Sequence, residues 1–425
     1  MHAPLPATIP LERVGARAAR PLRIVLVSQY FPPEIGATQS RMQSFAEYLA
    51  ARGHRVTVIC EFPNHPHGTI PPRYRRRLLE VDRSNPYTVI RTWVMASPEK
   101  TQATRLAFYL SFMALATAVA PLAGRADVVL ATTPPLFTGF AGLAIARMNA
   151  APFVLDVRDL WPAAATSLGQ ISPGWPTTAA EILERQLYRS AAAVVAVTRP
   201  FCNHIDALRV RPPRTSLVPN ATLDVFFEPA EPRRPEGVPD DVFLVTFAGT
   251  LGIAQALPAT LEAAERLAPS VHFAFVGDGP VKAQLVEDSR RRGLRNVSFH
   301  PQVPLEEVTG ILAASDALLV SLSAHPTFES FVPSKLIDFM AAGKPVVLAA
   351  KGESGRLLET SGAGIVVAPE DPDALAEAIR RLQSDGAAAA RMRERGPAFA
   401  RTRMRAAQAA RLEHVLLDTV ERRRR

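Results

Sequence analysis

Twice along this 425-residue chain, short apolar runs rich in β-branched residues alternate with helical stretches, and a Pro-rich, charged segment separates the two series. Few architectures accept that pattern. Near-continuous hydrophobic strands separated by helices require a parallel sheet covered on both faces. In the first series the strands are expected at residues 23–28, 55–60, 88–95, 127–131, 152–156 and 193–198, with 215–220 as a last short strand and turn. In the second they are expected at 243–248, 271–276, 296–300, 317–322, 345–348 and 364–367. The fold class is therefore α/β, two doubly wound Rossmann-like domains, because a chain of this length exceeds one ordinary core. The expected division is a disordered leader over 1–21, a first domain over 22–216, a linker over 217–241, a second domain over 242–397, and a terminal helix over 398–425. Ligands on such sheets bind beyond the carboxyl ends of the strands, which two domains can turn toward one another across a cleft.

Composition narrows the function. The chain is 48% hydrophobic and 7% aromatic, which indicates a globular protein. Its two cysteines, Cys60 and Cys202, stand far apart without metal spacing. They exclude a disulfide framework and suit a reducing cytosol. The first twenty residues hold no apolar run long enough for a signal peptide. The formal charge of +9 gathers in Arg73-Tyr74-Arg75-Arg76-Arg77, in 290–292 and in 422–425. Singly these are solvated surface; together they attract anionic phospholipid at ~1 kcal/mol per basic residue close to it. Nucleic acid is disfavoured, because Tyr74 is the one aromatic ring inside the clusters and makes no stacking platform. Residues 106–124 carry no charge, and the stretch approaches the ~20 residues that span a bilayer. It is Ala-rich and lies between two strands, so a buried or interfacial crossover helix fits better than a span. The location expected is cytoplasmic, with a peripheral seat at the inner face of the membrane.

The most informative segment is Phe331-Val-Pro333-Ser334-Lys335-Leu-Ile-Asp338-Phe-Met-Ala-Ala-Gly343-Lys-Pro345-Val-Val. Pro333 suits a first helical turn, where its missing N–H costs nothing. Ser334 and Lys335 follow at the positive end of the helix dipole, where free N–H groups hold phosphate. Asp338 lies one turn on, and Gly343 ends the helix. A cation, a hydroxyl, free N–H groups and a carboxylate at one tip suit a nucleoside diphosphate, phosphates first and ribose hydroxyls next.

Other strand ends carry glycine turns: Gly36 after the first strand, Gly249-Thr250-Leu-Gly252 with Gln255, and Gly277-Asp-Gly279. Glycine there lets backbone N–H groups approach a ligand or simply closes a turn. None forms the dinucleotide fingerprint, so nicotinamide loses support. Asp156-Val-Arg158-Asp159-Leu-Trp161-Pro162 puts charges at a strand's carboxyl end, where they must pair or act. Two readings stay open there: a structural Arg–Asp pair, or Arg158 and Asp159 set against the transferred sugar or acceptor hydroxyl. His65 and His67 flank a proline in a shaped loop, and no metal is expected.

In family order, these motifs resemble glycosyltransferase family 4 of the GT-B fold, over about residues 22–415. The loop around Gly36, Asn64-His-Pro-His-Gly68 and Asp159-Leu-Trp-Pro162 are similar to the fucosamine-transferase-like branch that builds bacterial O-antigen and exopolysaccharide. The resemblance implies a metal-independent hexosyltransferase without cofactor. It would move a sugar from a nucleotide-diphosphate sugar, UDP foremost, to a hydroxyl of a glycan or lipid-linked acceptor, with retention. It implies an acceptor-side first domain, a donor-binding second domain and a terminal helix that returns to the first. Catalysis falls to Arg158 and Asp159, and donor binding to Gly36, Gly249, Thr250, Gly252, Gln255, Gly277, Gly279, Glu329, Ser330, Pro333, Ser334, Lys335 and Asp338. The sequence departs from the family's two glutamates: Asp338 stands at the second, Ser330 at the first, with Glu329 one place out of register. Gln255 stands where relatives carry a cation, which leaves that charge to Lys335. Ala163 stands where the branch carries an acid. The rivals are a nucleotide-sugar epimerase, a nicotinamide oxidoreductase, and a membrane-associated nucleotide-binding protein without activity.

Overall fold

The computed structural model describes residues 18, 20–34, 36–65, 67–99, 101–169, 174–208 and 215–425. Most of the expected leader, 1–21, lies outside the described residues. By its contacts the chain divides into two units: Met1–Pro219 together with Arg405–Arg425, and Asn220–Met404.

The first unit is built on β1 (Arg23–Val27), β2 (Arg55–Glu61), β3 (Leu79–Asp82), β4 (Thr88–Thr92), β5 (Val128–Thr133), β6 (Phe153–Val157), β7 (Ala193–Ala196) and β8 (Thr215–Leu217). Their order across the sheet is β3-β4-β2-β1-β5-β6-β7-β8. Every pair is parallel except β3 on β4. The Val, Ile and Leu runs of β1, β5, β6 and β7 are buried on both faces, as a helix-covered parallel sheet demands. Strand β3 has no counterpart among the expected strands. It pairs on one side only and alternates apolar with acidic residues, the composition that keeps an edge from recruiting further strands.

The second unit holds β9 (Phe243–Ala248), β10 (Val271–Val276), β11 (Val297–His300), β12 (Ala317–Ser321), β13 (Val346–Ala349) and β14 (Gly364–Val367). They form a parallel sheet in the order β11-β10-β9-β12-β13-β14. In both sheets the strand order reverses at the first strand: β1 lies between β2 and β5, and β9 between β10 and β12. That reversal opens a crevice at the strands' carboxyl ends. Each unit is thus a Rossmann-like α/β domain.

The terminal helix differs from expectation in its start. The helix Gly386–Ala400 contains Pro397, a short 3-10 turn follows at Arg401–Arg403, and Met404 is extended. Met404 bridges to Thr222, so the last helix, Arg405–Arg424, begins beyond that bridge. It belongs to the first unit, where Ala409, Leu412, Leu416 and Val420 join the core of Leu22, Met42, Phe45 and Val56. Arg52 Nε donates to Glu413 at 3.0 Å, and His54 Nε2 lies 2.9 Å from the same carboxylate. Because the Leu22 N–H donates to His54 Nδ1 at 2.9 Å, Nδ1 is the acceptor and Nε2 carries the proton given to Glu413.

The uncharged stretch 106–124 forms most of a helix, Gln102–Ala118, and a 3-10 turn, Ala120–Ala123. Among the described residues no helix is long and apolar enough to cross a membrane.

Candidate active site

In the second unit, the loops after β9 and β10 are zipped together by backbone. Gly249 N–H donates to Val276 O at 2.9 Å, and Leu251 N–H to Asp278 O at 2.9 Å. Gly249 and Gly277 take φ of 127° and 143°, in the region that disfavours side chains. A Cβ on Gly277 would collide with the Gly249 carbonyl oxygen, and one on Gly279 with that of Leu251. Gly277 and Gly279 therefore serve the close approach of the two turns. Thr250 is exposed at the crest of the first turn. Gln255 folds back so that its side-chain carbonyl accepts from Gly252 N–H at 3.0 Å. It caps the turn, which is why a glutamine can stand there.

The helix Ser334–Ala341 starts directly after Pro333, and no side chain caps it. Leu336 N–H in its first turn donates to Pro333 O at 3.1 Å, which leaves the N–H groups of Ser334 and Lys335 for another partner. The preceding loop is pinned by Asn220 Nδ2, which donates to Val332 O at 3.2 Å, and by Ser354 Oγ, which donates to Phe331 O at 2.5 Å. Lys335 reaches across to β9: its Nζ lies 3.9 Å from the centroid of the Phe247 ring. A Cβ on Gly249 would come within 2.8 Å of that nitrogen. The ammonium is buried and makes no hydrogen bond. Burial pulls its pKa from the usual lysine value down to about 7, and Asp338 only partly opposes the shift. A buried ammonium that lies on one ring face and feels one carboxylate only through space can take up an anionic partner. Ser330 and Glu329 end the 3-10 turn Pro326–Ser330, with Glu329 exposed and Ser330 half-buried. A concavity lined by Pro239, His272, Arg292 and Asn296 lies at the opposite, amino ends of β9 and β10. Parallel sheets bind their ligands at the carboxyl ends, the end at which the glycine turns and Lys335 stand.

In the first unit, Gly36 immediately precedes the helix Ala37–Ala51 in an extended conformation. Arg41 on that helix is buried and pairs with the fully buried Asp156 of β6 at 2.8 Å. It also donates to the carbonyls of Val218 and Pro219, at 2.9 and 3.1 Å, and Thr132 Oγ1 donates to Asp156 at 2.9 Å. The structural ion pair at this strand end is thus Arg41–Asp156. Arg158, beyond the strand, donates to Thr132 Oγ1 at 2.8 Å, to Pro134 O at 2.7 Å and to Thr38 Oγ1. It ties β6 to the end of β5 and to the helix Ala37–Ala51. Asp159 is half-buried, and burial lifts its carboxyl to about 6 against the pull of Arg158. A carboxyl with that pKa exchanges protons near neutrality.

Two family models match the chain. The glycosyl transferase 4-like domain covers residues 36–221, and the glycosyl transferases group 1 domain covers 230–399. WbjE of Pseudomonas aeruginosa, named a glycosyltransferase, is 30% identical over 278 residues, 61% of this chain and 67% of that protein. The chain belongs to the GT-B glycosyltransferases. WcaI of Escherichia coli K12, named for colanic acid biosynthesis, is 26% identical over 376 residues, 85% of this chain and 92% of that protein. Among solved structures, HepE of Anabaena in complex with UDP superimposes with a TM-score of 0.68 at 18% identity. That match covers 93% of this chain and 99% of the other.

The glycosyltransferase also holds polar residues that its motifs did not reveal. Glu61 ends β2, fully buried, and accepts from Asn64 Nδ2 at 2.6 Å. Glu34 accepts from the N–H groups of Asn64 and His65 at 2.6 and 2.7 Å. Burial raises both carboxyl pKa values, and the neighbouring Glu34 pushes Glu61 further up. Gln29 stands beside Glu61, near enough to favour its ionised form, yet makes no hydrogen bond of good geometry to it. The signal was present: Glu61 is a charge at a strand's carboxyl end, as Asp156 is. His65 packs edge-on against Tyr30, with ring centroids 6.0 Å apart.

Proposed function

We propose that this glycosyltransferase moves a sugar from a nucleoside-diphosphate sugar, UDP foremost, to a hydroxyl of a glycan or lipid-linked acceptor, with retention at the anomeric carbon. One observation carries the reading: a buried, unbonded lysine ammonium lies against a glycine turn and beside an uncapped helix N-terminus, at the switch point of the second sheet. In this reading the diphosphate lies between the Gly249–Gly252 turn and the tip at Ser334. Lys335 meets its charge as it departs, which is electrostatic preorganisation. Asp338 accepts from the ribose hydroxyls, and Ser330 or Glu329 contacts the sugar. Arg158 holds the first unit's strand ends in place, and Asp159 faces the acceptor hydroxyl. The complex of HepE with UDP favours that carrier. A peripheral seat on the inner face of the membrane belongs to the same reading.

The test is a thermal-shift screen of the purified enzyme against UDP-, GDP- and ADP-sugars. One series is expected to raise the melting temperature, and no response to any would sink the donor site. Lys335 and the helix tip meet the diphosphate charge, so EDTA is expected to leave turnover unchanged; strong inhibition would mean that a metal carries that charge instead.

A further inference from the structure

At the carboxyl end of the first sheet, four adjacent strands each present one buried polar side chain. Glu61 ends β2 and pairs in register with Thr92 at the end of β4. On the other side of β2 the Glu61 N–H donates to Gln29 O, just past β1, at 3.1 Å. Val27 pairs with both Ile59 and Ala131, so Thr133, two residues beyond Ala131, stands level with Glu61 and on the same face. All four residues are 3% exposed or less. Each nevertheless keeps one buried atom without a hydrogen-bond partner: Thr92 Oγ1, Glu61 Oε2, Gln29 Nε2 and Thr133 Oγ1. Folded chains rarely leave even one such group unpaired, and four in a row call for a common partner.

The chemistry of the row says what that partner is. An amide N–H donates, a carboxylate oxygen accepts, and two hydroxyls do either. A cation would ask for acceptors alone and an anion for donors alone. Glu34, close enough to push up the Glu61 pKa, adds a second carboxyl that an anion would have to face. Sugar hydroxyls both donate and accept, and adjacent strands stand about 4.8 Å apart, close to the breadth of one pyranose ring. Aromatic rings border the row. Tyr109 lies near enough to Glu61 and Tyr30 to interact with both electrostatically, and it stacks on Phe137 with centroids 6.3 Å apart. Tyr30, Tyr109 and Phe137 are half-buried, which leaves ring surface for the C–H face of a sugar. At its Thr133 end the row reaches Asp159: Arg158 N–H donates to Thr133 O at 2.9 Å, and Asp159 is the next residue.

We propose that this row binds a neutral sugar ring of the acceptor, with Gln29, Glu61, Thr92 and Thr133 selecting its hydroxyls and the Tyr30 and Tyr109 rings lying along its C–H face. The acceptor is then a glycan end and not a bare lipid phosphate. The proposal deepens the reading of Asp159 as acceptor-facing and rests on it, but binding requires no turnover. The experiment is a saturation-transfer NMR titration of the full-length protein with the methyl glycosides of glucose, galactose, mannose and N-acetylglucosamine. Glycerol phosphate serves as the anionic control, and every titration is run with and without UDP. At least one glycoside is expected to bind, and glycerol phosphate is not. Glu61→Gln and Thr133→Val, each close in shape to the native residue, should weaken that glycoside by about tenfold or more, since each takes a partner from its hydroxyls. Thr133→Val should also keep or raise the melting temperature, because it removes an unpaired buried hydroxyl; a purely structural row would not couple that gain to lost binding. Failure of every glycoside to bind, binding of glycerol phosphate in their place, or undiminished binding by both variants overturns the proposal. If Glu61→Gln does not fold, Thr133→Val decides alone. Glycoside binding by an enzyme whose melting temperature responds to no nucleotide sugar would instead refute the donor reading alone.

Discussion

Lys335→Ala is expected to lower turnover by about 10²–10³, the range for removing one preorganised group that meets developing charge. The Lys335 ammonium lies against Gly249, whereas Lys282 is taken up by the carbonyls of Gly277 and His300 and Gln255 caps its own loop. Asp338→Ala should cost well over tenfold, since Asp338 both balances Lys335 and stands one turn behind it. Steady-state kinetics on folded, purified variants check both; near-normal rates would refute this donor site. The lysine also makes a pH prediction. Its folded pKa, about 7, lies below its unfolded value of 10.5, so between those limits the unfolded chain binds more protons. Stability of the ligand-free enzyme should therefore rise with pH across that window. The destabilisation from burying the charge is fully present below about 7. Lys335→Met should flatten the rise while lowering turnover as Lys335→Ala does, which separates a folding defect from a catalytic one. Donor binding above neutrality should take up a proton, visible in calorimetry as a heat that varies with the buffer's ionisation enthalpy.

Arg41→Ala is expected to destabilise the first unit by about 3–5 kcal/mol, the usual consequence of leaving one member of a buried ion pair alone. Asp156 is wholly buried and would keep only the Thr132 hydroxyl, while the carbonyls of Val218 and Pro219 lose their donor. For a unit of this size that corresponds to a fall of roughly 10 °C in melting temperature. The double variant Arg41→Met with Asp156→Leu should recover most of it, because an apolar pair removes the uncompensated charge. If the double variant melts as low as the single one, the carbonyl contacts and not the ion pair hold this corner.

Much of the fold is legible because parallel strands buried on both faces are written as apolar runs. The runs at 243–248, 271–276 and 364–367 coincide with β9, β10 and β14. Strand β3 is not legible, since an edge strand that pairs on one side carries acids where the others carry valine. Of the candidate site, the helix tip can be read locally, because proline, cation, carboxylate and glycine follow one another in one segment. Contacts between distant segments cannot. Nothing near Lys335 announces that its ammonium will lie on the Phe247 ring. Nothing near Asp156 names Arg41 as its partner. The backbone zipper of Gly249 and Gly277 likewise joins two loops that only the β9–β10 pairing brings together.

The helix Arg405–Arg424 lends Ala409, Leu412, Leu416 and Val420 to a core whose other buried members lie before Pro219. Ribosomes deliver residues in order, so the half of the enzyme that emerges first is the last to close. The faces of Met42 and Phe45 wait, wet or chaperoned, while the entire second unit is made. A premature stop after residue 404 would spare every donor-site residue and still leave that half with an open flank, prone to association.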